Sequence, residues 1–242
     1  AGKELGQDYI ATGHYVIVEH GEDGRYKLKK AVDLSKDQSY VLYSLSQEQL
    51  SHTMFPLGKL HKSETRKIAE EHGFVNANRK ESQDICFIPD GDYAAFIERY
   101  TGEKISSGNF VDMDGNVLGI HRGIIHYTVG QRKGLGLALK HPMYVQYIDM
   151  DNNEVVLGSN EDLFKRELTA HNFNWVSIAC PDAPFRAKAR IRYKHKEAPA
   201  TITPLSETEV KIVFDEPQRA ITKGQSVVVY DGDYVIGGGI IG

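Results

Sequence analysis

The last third of the chain constrains the fold most, because it is built from short β-type runs and lacks a helical pattern. From about Leu163 onward, runs rich in β-branched and aromatic residues recur at close spacing, with Pro, Gly and Asp turns between them. This pattern is typical of a small closed barrel or a sandwich, and we assign residues 163–242 to one such domain. The expected strands are 187–193, 200–204, 209–214, 226–230 and 234–241.

The first third predicts the remainder of an α/β domain, because strand and helix patterns alternate over residues 1–88. The signals are β-type runs, capping-box pairs and glycine stops. The expected elements are strands at 15–18 and 26–29, a helix through Leu50 and Met54 begun by the capping pair Ser46 and Gln49, and a second helix begun by Ser63.

Residues 89–162 predict a small central α+β domain. Asp92 stands at the N-cap position of a helix, and strand-like runs follow it. Asp114-Gly115 and Asp151-Asn152-Asn153 supply the positive φ that tight hairpins need. The predicted fold class of the whole chain is therefore α/β plus β.

A short strand near the start leads into Thr12-Gly13-His14 and has no candidate partner before it. The N–H and C=O groups of a strand need neighbours, so we expect its sheet partners to lie upstream of the given sequence. Ligands of open α/β sheets gather at the carboxyl ends of strands, where glycine permits close approach of the backbone. Gly13 is therefore a candidate ligand contact, although the signal is weak by itself.

Composition narrows the class of protein without naming a function. The chain has 242 residues, of which 40% are apolar and 26% charged, with a net charge of −4. These values are ordinary for a soluble globular protein, so any contact with a nucleic acid must come from a local basic patch. Two cysteines are too few for a disulfide framework, and we expect a reduced, cytoplasmic compartment. We expect no membrane segment and, because the ten histidines are scattered, no metal site.

The two cysteines have different contexts. Cys86 lies in Ser82-Gln83-Asp84-Ile85-Cys86-Phe87-Ile88-Pro89, near an expected boundary between a strand and a loop. A free cysteine among Ile and Phe is most often a small buried hydrophobe, and the alternative is a nucleophile or sulfur carrier, which needs a thiolate and some exposure. Cys180 precedes Pro181 in an expected turn, and we treat it as structural.

A run of alternating cations between residues 186 and 196 is the strongest charge pattern. At strand period two, one face of a strand would carry all of them, which favours a polyanionic partner. The alternative is an edge strand protected by charge against aggregation. The cations are Arg186, Lys188, Arg190, Arg192, Lys194 and Lys196.

The segment 127–136 is rich in glycine around Arg132 and Lys133, a composition that can bring N–H groups and cations against a phosphate. It lacks the spacing of a Walker A loop and of a dinucleotide fingerprint, so a plain glycine turn is the simpler interpretation.

Taken in order, several motifs resemble those of tRNA-specific 2-thiouridylases, and the resemblance spans essentially the whole chain. The motifs are Ala11-Thr12-Gly13-His14-Tyr15, Lys36-Asp37-Gln38-Ser39-Tyr40, Phe55-Pro56-Leu57-Gly58, residues 82–88 and 128–136, Asn174-Trp175, Ile191-Arg192-Tyr193, Gly224-Gln225 and residues 237–241.

The resemblance implies an ATP-pyrophosphatase α/β domain, a central domain and a C-terminal β-barrel that helps to hold tRNA. It implies that ATP, with magnesium as counter-ion, adenylates the C2 oxygen of the wobble uridine. A cysteine persulfide then supplies sulfur that comes from a relay protein or a cysteine desulfurase. By position, Cys86 matches the persulfide cysteine and Gly13 an ATP contact. The positions that match tRNA contacts are His14, Lys36, Asp37, Gln38, Arg192, Tyr193 and Gln225.

The sequence also departs from the family pattern. The pyrophosphate-binding loop and the second catalytic cysteine of the family lie upstream of these motifs, and Cys180 does not match that cysteine. We therefore expect the chain by itself to be inactive in sulfur transfer. Two other functions stay open from the sequence: a non-catalytic RNA-binding module, and an ATP-pyrophosphatase that adenylates a substrate other than tRNA.

Overall fold

The computed structural model describes residues 6–75, 77, 92–102 and 105–242, so Cys86 and its motif lie outside the described residues. The strands are β1 (Ile10–Ala11), β2 (Val16–His20), β3 (Tyr26–Lys30), β4 (Thr53–Met54), β5 (Gly108–Val111), β6 (Val117–His121), β7 (Tyr144–Asp149), β8 (Glu154–Gly158), β9 (Phe164–Trp175), β10 (Phe185–Arg190), β11 (Ala198–Pro204), β12 (Val210–Arg219), β13 (Ser226–Asp231) and β14 (Tyr234–Ile241). The helices are α1 (Gln47–Ser51), α2 (Lys62–Glu71) and α3 (Tyr93–Thr101), and 3-10 turns lie at Ser39–Val41, Ile124–His126 and Glu161–Leu163.

The described residues form two compact units. One lies within Ala1–Arg79, Arg166–Pro217 and Lys223–Gly242, and the other within Lys80–Lys165 and Gln218–Thr222. The first third of the chain and the barrel strands therefore share one unit. The three-domain boundaries at residues 88 and 162 stay a prediction.

A closed barrel of six strands forms the centre of the first unit. Its strand order is β13-β10-β11-β12-β9-β14, and β13 also pairs with β14, which closes the ring. The expectation of a closed barrel or a sandwich thus resolves to a barrel, which leaves none of the six strands with an unpaired edge. Ile202, Ile212, Phe214 and Val227 are among its fully buried side chains.

Strands β2 and β3 form a hairpin that extends the barrel sheet. Strand β3 pairs with β14 through Lys29 and Tyr234, whereas Gly237 to Ile241 of β14 pair with β9. We had expected these two strands to lie in the α/β remainder, and in the structure their hairpin adds to the edge of the barrel sheet. The hairpin joins the barrel because it buries Val16 and Leu28 against Tyr230 and Val235 in one apolar cluster.

The glycine run in β14 allows a tyrosine to lie against the strand. A Cβ atom on Gly238 would stand 2.6 Å from Cδ2 of Tyr43 and 2.8 Å from the carbonyl oxygen of Val227. Real Cβ atoms do not approach other atoms so closely, so only glycine fits at this position. Tyr43 is one of the buried residues that join the first part of the chain to the barrel.

The remaining elements of the first unit include a short parallel sheet of two strands and two helices. Strand β1 pairs in parallel with β4, which follows it in the chain, so the partner seen for β1 is downstream. Helix α1 has the predicted capping box of Ser46 and Gln49, but it ends at Ser51, and Met54 lies in β4. Helix α2 begins at Lys62 after His61 and not at Ser63, because the Glu64 side chain accepts the backbone N–H of His61 in a capping box.

The second unit contains α3 and a sheet of order β6-β5-β8-β7, in which β5 and β8 are parallel. Asp92 caps α3 as predicted, and a hairpin joins β7 to β8 through Asn153 with φ of 52°. His121 is 1% exposed and accepts the Gly123 N–H at Nδ1 while Nε2 donates to the carbonyl oxygen of Asn153. It is therefore a satisfied core histidine.

Across the residues that the structure describes, no helix is both long and apolar enough to cross a membrane.

Candidate nucleic-acid interface

The loop that carries Lys36, Asp37 and Gln38 is organised around the Asp37 carboxylate. Asp37 is 7% exposed, and its Oδ1 accepts the N–H groups of Ala31 and Ser39 at 3.1 and 3.3 Å. Its Oδ2 accepts the Ser39 hydroxyl at 2.7 Å. A buried carboxylate needs such donors to offset its lost hydration. The side chain of Asp37 thus shapes the loop from inside.

Gln38 joins this loop to the segment that holds Gly13 and His14. The Gln38 side-chain Oε1 accepts the backbone N–H of Tyr15 at 2.9 Å, and the backbone N–H of Gln38 donates to the Tyr15 carbonyl oxygen at 3.0 Å. Next to Tyr15, the His14 ring nitrogen Nδ1 lies 2.9 Å from the Thr12 hydroxyl oxygen. Two of the sequence-predicted site segments, 13–14 and 36–38, are therefore held side by side.

Arg192 and Tyr193 lie in a turn that follows β10. We had expected a strand through residue 193 with six cations on one face, and this was wrong because β10 ends at Arg190. The Arg192 carbonyl oxygen accepts Nε of Arg190 at 3.3 Å and the N–H of His195 at 3.0 Å, which closes the turn in place of a ladder bond. The alternative of an edge strand also fails, since β10 pairs with both β11 and β13.

Tyr193 brings this turn against the Asp37 loop. Its hydroxyl donates to the Asp37 carbonyl oxygen at 3.2 Å, and the side chain is 40% exposed. Its ring packs edge-on against Tyr40, with 6.0 Å between the ring centroids. An aromatic ring that is half-exposed and fixed by a hydrogen bond offers a surface on which a nucleobase can stack.

Tyr40 connects the same surface to Gln225. The Tyr40 hydroxyl donates to the carbonyl oxygen of Ser226 at 2.7 Å, and the Tyr43 hydroxyl lies 3.0 Å from the Ser226 Oγ. Gln225, the preceding residue, is exposed, and its carbonyl oxygen accepts the Ile241 N–H at 2.8 Å. Hydrogen bonds and ring contacts therefore link the three segments 13–15, 36–40 and 192–193 and the strand that follows Gln225, and these segments carry the eight predicted site residues that the structure describes.

One cation, Arg190, lies over two tyrosine rings of this surface. The Arg190 guanidinium carbon stands 5.4 Å from the Tyr40 ring centroid and 5.5 Å from that of Tyr193. Burial, with a smaller effect of the nearby Tyr43, raises the pKa of the Tyr40 phenol to about 12, although Arg190 and Arg192 oppose the rise. Both guanidinium groups are thus close enough to Tyr40 to act on it electrostatically.

Not every candidate feature joins this surface. Gly130, Gly134 and Gly136 of the glycine-rich segment have positive φ in the second unit, and a cleft of about 610 Å³ is lined by residues 132 and 134–143. Cys180 is half-buried, and its Sγ lies 3.8 Å from the Ser206 carbonyl oxygen.

The sequence-based prediction did not include Tyr40, which connects Tyr193 to Ser226 within the site. Its place in the motif Lys36 to Tyr40 was the available signal.

Three family models match consecutive parts of the chain. They are described as tRNA methyl transferase HUP domain over residues 1–90, tRNA methyl transferase PRC-barrel domain over 94–159, and aminomethyltransferase beta-barrel domain over 165–241. With the closed barrel, they define a class of tRNA-modifying protein that combines a HUP-type α/β domain with two β domains. The predicted fold class of α/β plus β is confirmed.

Curated relatives are similar over almost the whole chain. The tRNA-specific 2-thiouridylase MnmA of Clostridioides difficile (strain 630) is 54% identical over 99% of the chain, and that of Acetivibrio thermocellus is 55% identical over 98%. That of Halothermothrix orenii is 52% identical over 98%. The chain spans 66% of the length of each of these relatives. The chain belongs to the family of tRNA-specific 2-thiouridylases.

Proposed function

We propose that this chain binds tRNA through the surface around Tyr193 and serves in the ATP-dependent transfer of persulfide sulfur to C2 of the wobble uridine. The observation that carries the proposal is the match to relatives named tRNA-specific 2-thiouridylase, at more than 50% identity over almost the whole chain. The contacts among the predicted tRNA-binding residues support it, since separate motifs meet at one surface.

On the RNA side, each residue has a role that its setting supports. Tyr193 offers a ring for base stacking, Lys36 and Arg192 offer positive charge, and His14 and Gln225 offer polar groups near the same surface. Asp37 and Gln38 use their side chains to hold the loop. Their contribution to tRNA binding is therefore to fix the backbone that faces the RNA.

On the nucleotide side, the position of Gly13 fits a contact with ATP. Gly13 follows the carboxyl end of β1, and among the described residues a Cβ atom there would meet only Cδ1 of Leu57, at 3.8 Å, so this part of the structure leaves the backbone open to a ligand. ATP, with magnesium as counter-ion, supplies the adenylyl group that makes the C2 oxygen of uridine a leaving group. The residues that would hold its pyrophosphate are expected upstream of the motifs seen here.

The sulfur step is assigned to Cys86. In this proposal, Cys86 carries a persulfide whose terminal sulfur forms the bond to C2, while the C2–O bond breaks and AMP leaves with the oxygen. A second cysteine thiolate then attacks the Cys86 sulfur and releases the thiolated product, leaving a disulfide. The persulfide sulfur comes from a cysteine desulfurase or a relay protein.

The test measures 2-thiouridine formation in a protein of the relatives' full length that carries this sequence, supplied with ATP, a cysteine desulfurase and cysteine as the persulfide source, a thiol reductant and unmodified tRNA. Cys86→Ser should reduce the product by about 100-fold or more and leave tRNA affinity nearly unchanged. Cys180→Ser is the matched control and should stay within about twofold of wild type. Wild-type activity in Cys86→Ser would remove the cysteine assignment. An inactive wild type that still binds tRNA would favour a non-catalytic RNA-binding module.

A further inference from the structure

Arg190 is held in a fixed position beside the predicted tRNA surface. Its guanidinium lies over the rings of Tyr40 and Tyr193, and its Nε donates to the carbonyl oxygen of Arg192. Strand β10 fixes its backbone, since Arg190 pairs with Val228 of β13. These contacts use the faces of the guanidinium and one of its N–H groups. Among the residues that the structure describes, the hydrogen bond seen for this side chain uses Nε, so its Nη atoms are available to a ligand on this side of the surface.

The electrostatic surroundings of Arg190 differ from those of two neighbouring cations, Arg186 of the same strand and Lys30 of β3. Arg186 lies on the same strand face and forms an ion pair of 2.6 Å with Asp215, and Lys30 forms one of 2.7 Å with Glu197. Within the described part of the chain, no carboxylate lies within 4.0 Å of the Arg190 guanidinium. A half-buried cation that is held in place and that no described carboxylate neutralises is suited to an anionic ligand.

We infer that Arg190 binds a phosphate of the tRNA backbone and, with Tyr40 behind it, sets the position of Tyr193 against a neighbouring base. This inference rests on the proposed tRNA binding and adds a contact that the family resemblance did not assign. A planar guanidinium can donate two parallel N–H bonds to phosphate oxygens. Since Arg190 is already ordered, little side-chain entropy is lost when the RNA binds.

The experiment measures the dissociation constant of the 242-residue chain for an in vitro transcribed tRNA with uridine at the wobble position, across a range of salt concentrations. Arg190→Gln should weaken binding about tenfold and reduce the slope of log K against log salt by about 0.7 to 0.9, as expected for one lost phosphate contact. Arg190→Lys keeps the charge but cannot make the planar bidentate contact. It should recover the salt slope and only part of the affinity.

Arg186→Gln is the matched control, because it removes one positive charge from the same face of the same strand. Since Asp215 already neutralises Arg186, this variant should change the affinity less than about twofold. Equal losses in the two glutamine variants would mean that general charge governs binding, and would overturn the inference. An unchanged salt slope in Arg190→Gln would do the same. Absence of tRNA binding by the wild-type chain would overturn the inference and the proposed tRNA binding together.

Discussion

At the scale of single residues, the side chains predicted to contact tRNA differ in exposure: Asp37 is buried beneath the surface and Tyr193 lies on it. The side-chain oxygens of Asp37 and Gln38 accept hydrogen bonds from Ala31, Ser39 and Tyr15. Tyr193 leaves its ring half-exposed while its hydroxyl is fixed. A motif of polar residues can thus determine the shape of a loop as well as the groups that the loop presents to a ligand.

Tyr40 gives the residue-scale prediction. At pH 8, Tyr40→Phe should lower the free energy of unfolding by about 1–2 kcal/mol, because the hydrogen bond to the Ser226 carbonyl oxygen is lost. The folded-state pKa of about 12 lies above the value of about 10 for a free phenol. As the pH rises, the Tyr40 phenol therefore ionises in the unfolded state before it ionises in the folded state. The free energy of unfolding of the wild type falls as the pH rises from about 10 to 12.

Phenylalanine cannot ionise, so the stability difference between wild type and Tyr40→Phe should narrow over this interval. Urea unfolding of both proteins at pH 8 and at pH 11 gives the difference in the free energy of unfolding at each pH. A difference that stays constant between the two pH values would contradict the burial of the Tyr40 hydroxyl.

At the scale of elements, hydrogen-bond partners decided where strands and helices end. The alternation of cations extends to residue 196 in the sequence, but β10 ends at Arg190 because the chain closes a turn on the Arg192 carbonyl oxygen. Likewise α2 begins one residue before Ser63, where His61 and Glu64 complete a capping box. Periodicity indicates that a strand exists, and specific local bonds set its length.

Strand β14 gives the element-scale prediction. Gly238→Ala should destabilise the protein by about 2–4 kcal/mol, because the added methyl group meets the Tyr43 ring and the Val227 carbonyl oxygen. Gly13→Ala is the control, since Cδ1 of Leu57 is the one atom of the described residues that would lie within 4 Å of its methyl group, and the free energy of unfolding should change by less than about 0.5 kcal/mol. Guanidinium unfolding of both variants gives the comparison. Equal stabilities would show that Tyr43 can move away from β14.

At the scale of the whole molecule, the barrel and the first part of the chain share a core. Val16, Leu28 and Leu50 pack in one cluster with Val228 and Tyr230 of the barrel. The ion pair of Lys30 and Glu197, whose side chains are 13% and 19% exposed, adds a partly buried electrostatic link. Removing one partner of such a pair costs more than the pair contributes, so the two parts should depend on each other.

Expression of residues 165–242 alone gives the whole-molecule prediction. This segment matches a family model as a barrel domain, yet by itself it would expose Val228, Tyr230 and Val235 to water. We expect its melting temperature to fall by about 10 °C or more below that of the barrel in the full chain, with binding of an apolar dye. Differential scanning calorimetry and dye fluorescence test this. A barrel that melts alone within a few degrees of the intact chain would contradict the shared core.

The sequence by itself determined the fold class, the helix at Asp92, the capping box at Ser46 and the presence of a strand-rich last third, because these depend on interactions between residues close together in the chain. It also identified the family, since the motifs occur in a set order. The tertiary structure decided that the hairpin of β2 and β3 belongs to the barrel sheet, that β10 ends before Arg192, and that Tyr40 joins Tyr193 to Gln225. The place of the hairpin and the role of Tyr40 depend on burial and hydrogen bonds between residues more than 150 positions apart in the chain, such as the bond between Tyr40 and Ser226, and no local sequence pattern predicts such pairs. The end of β10 depends on side-chain and turn bonds to the Arg192 carbonyl oxygen, which the alternation of cations does not predict.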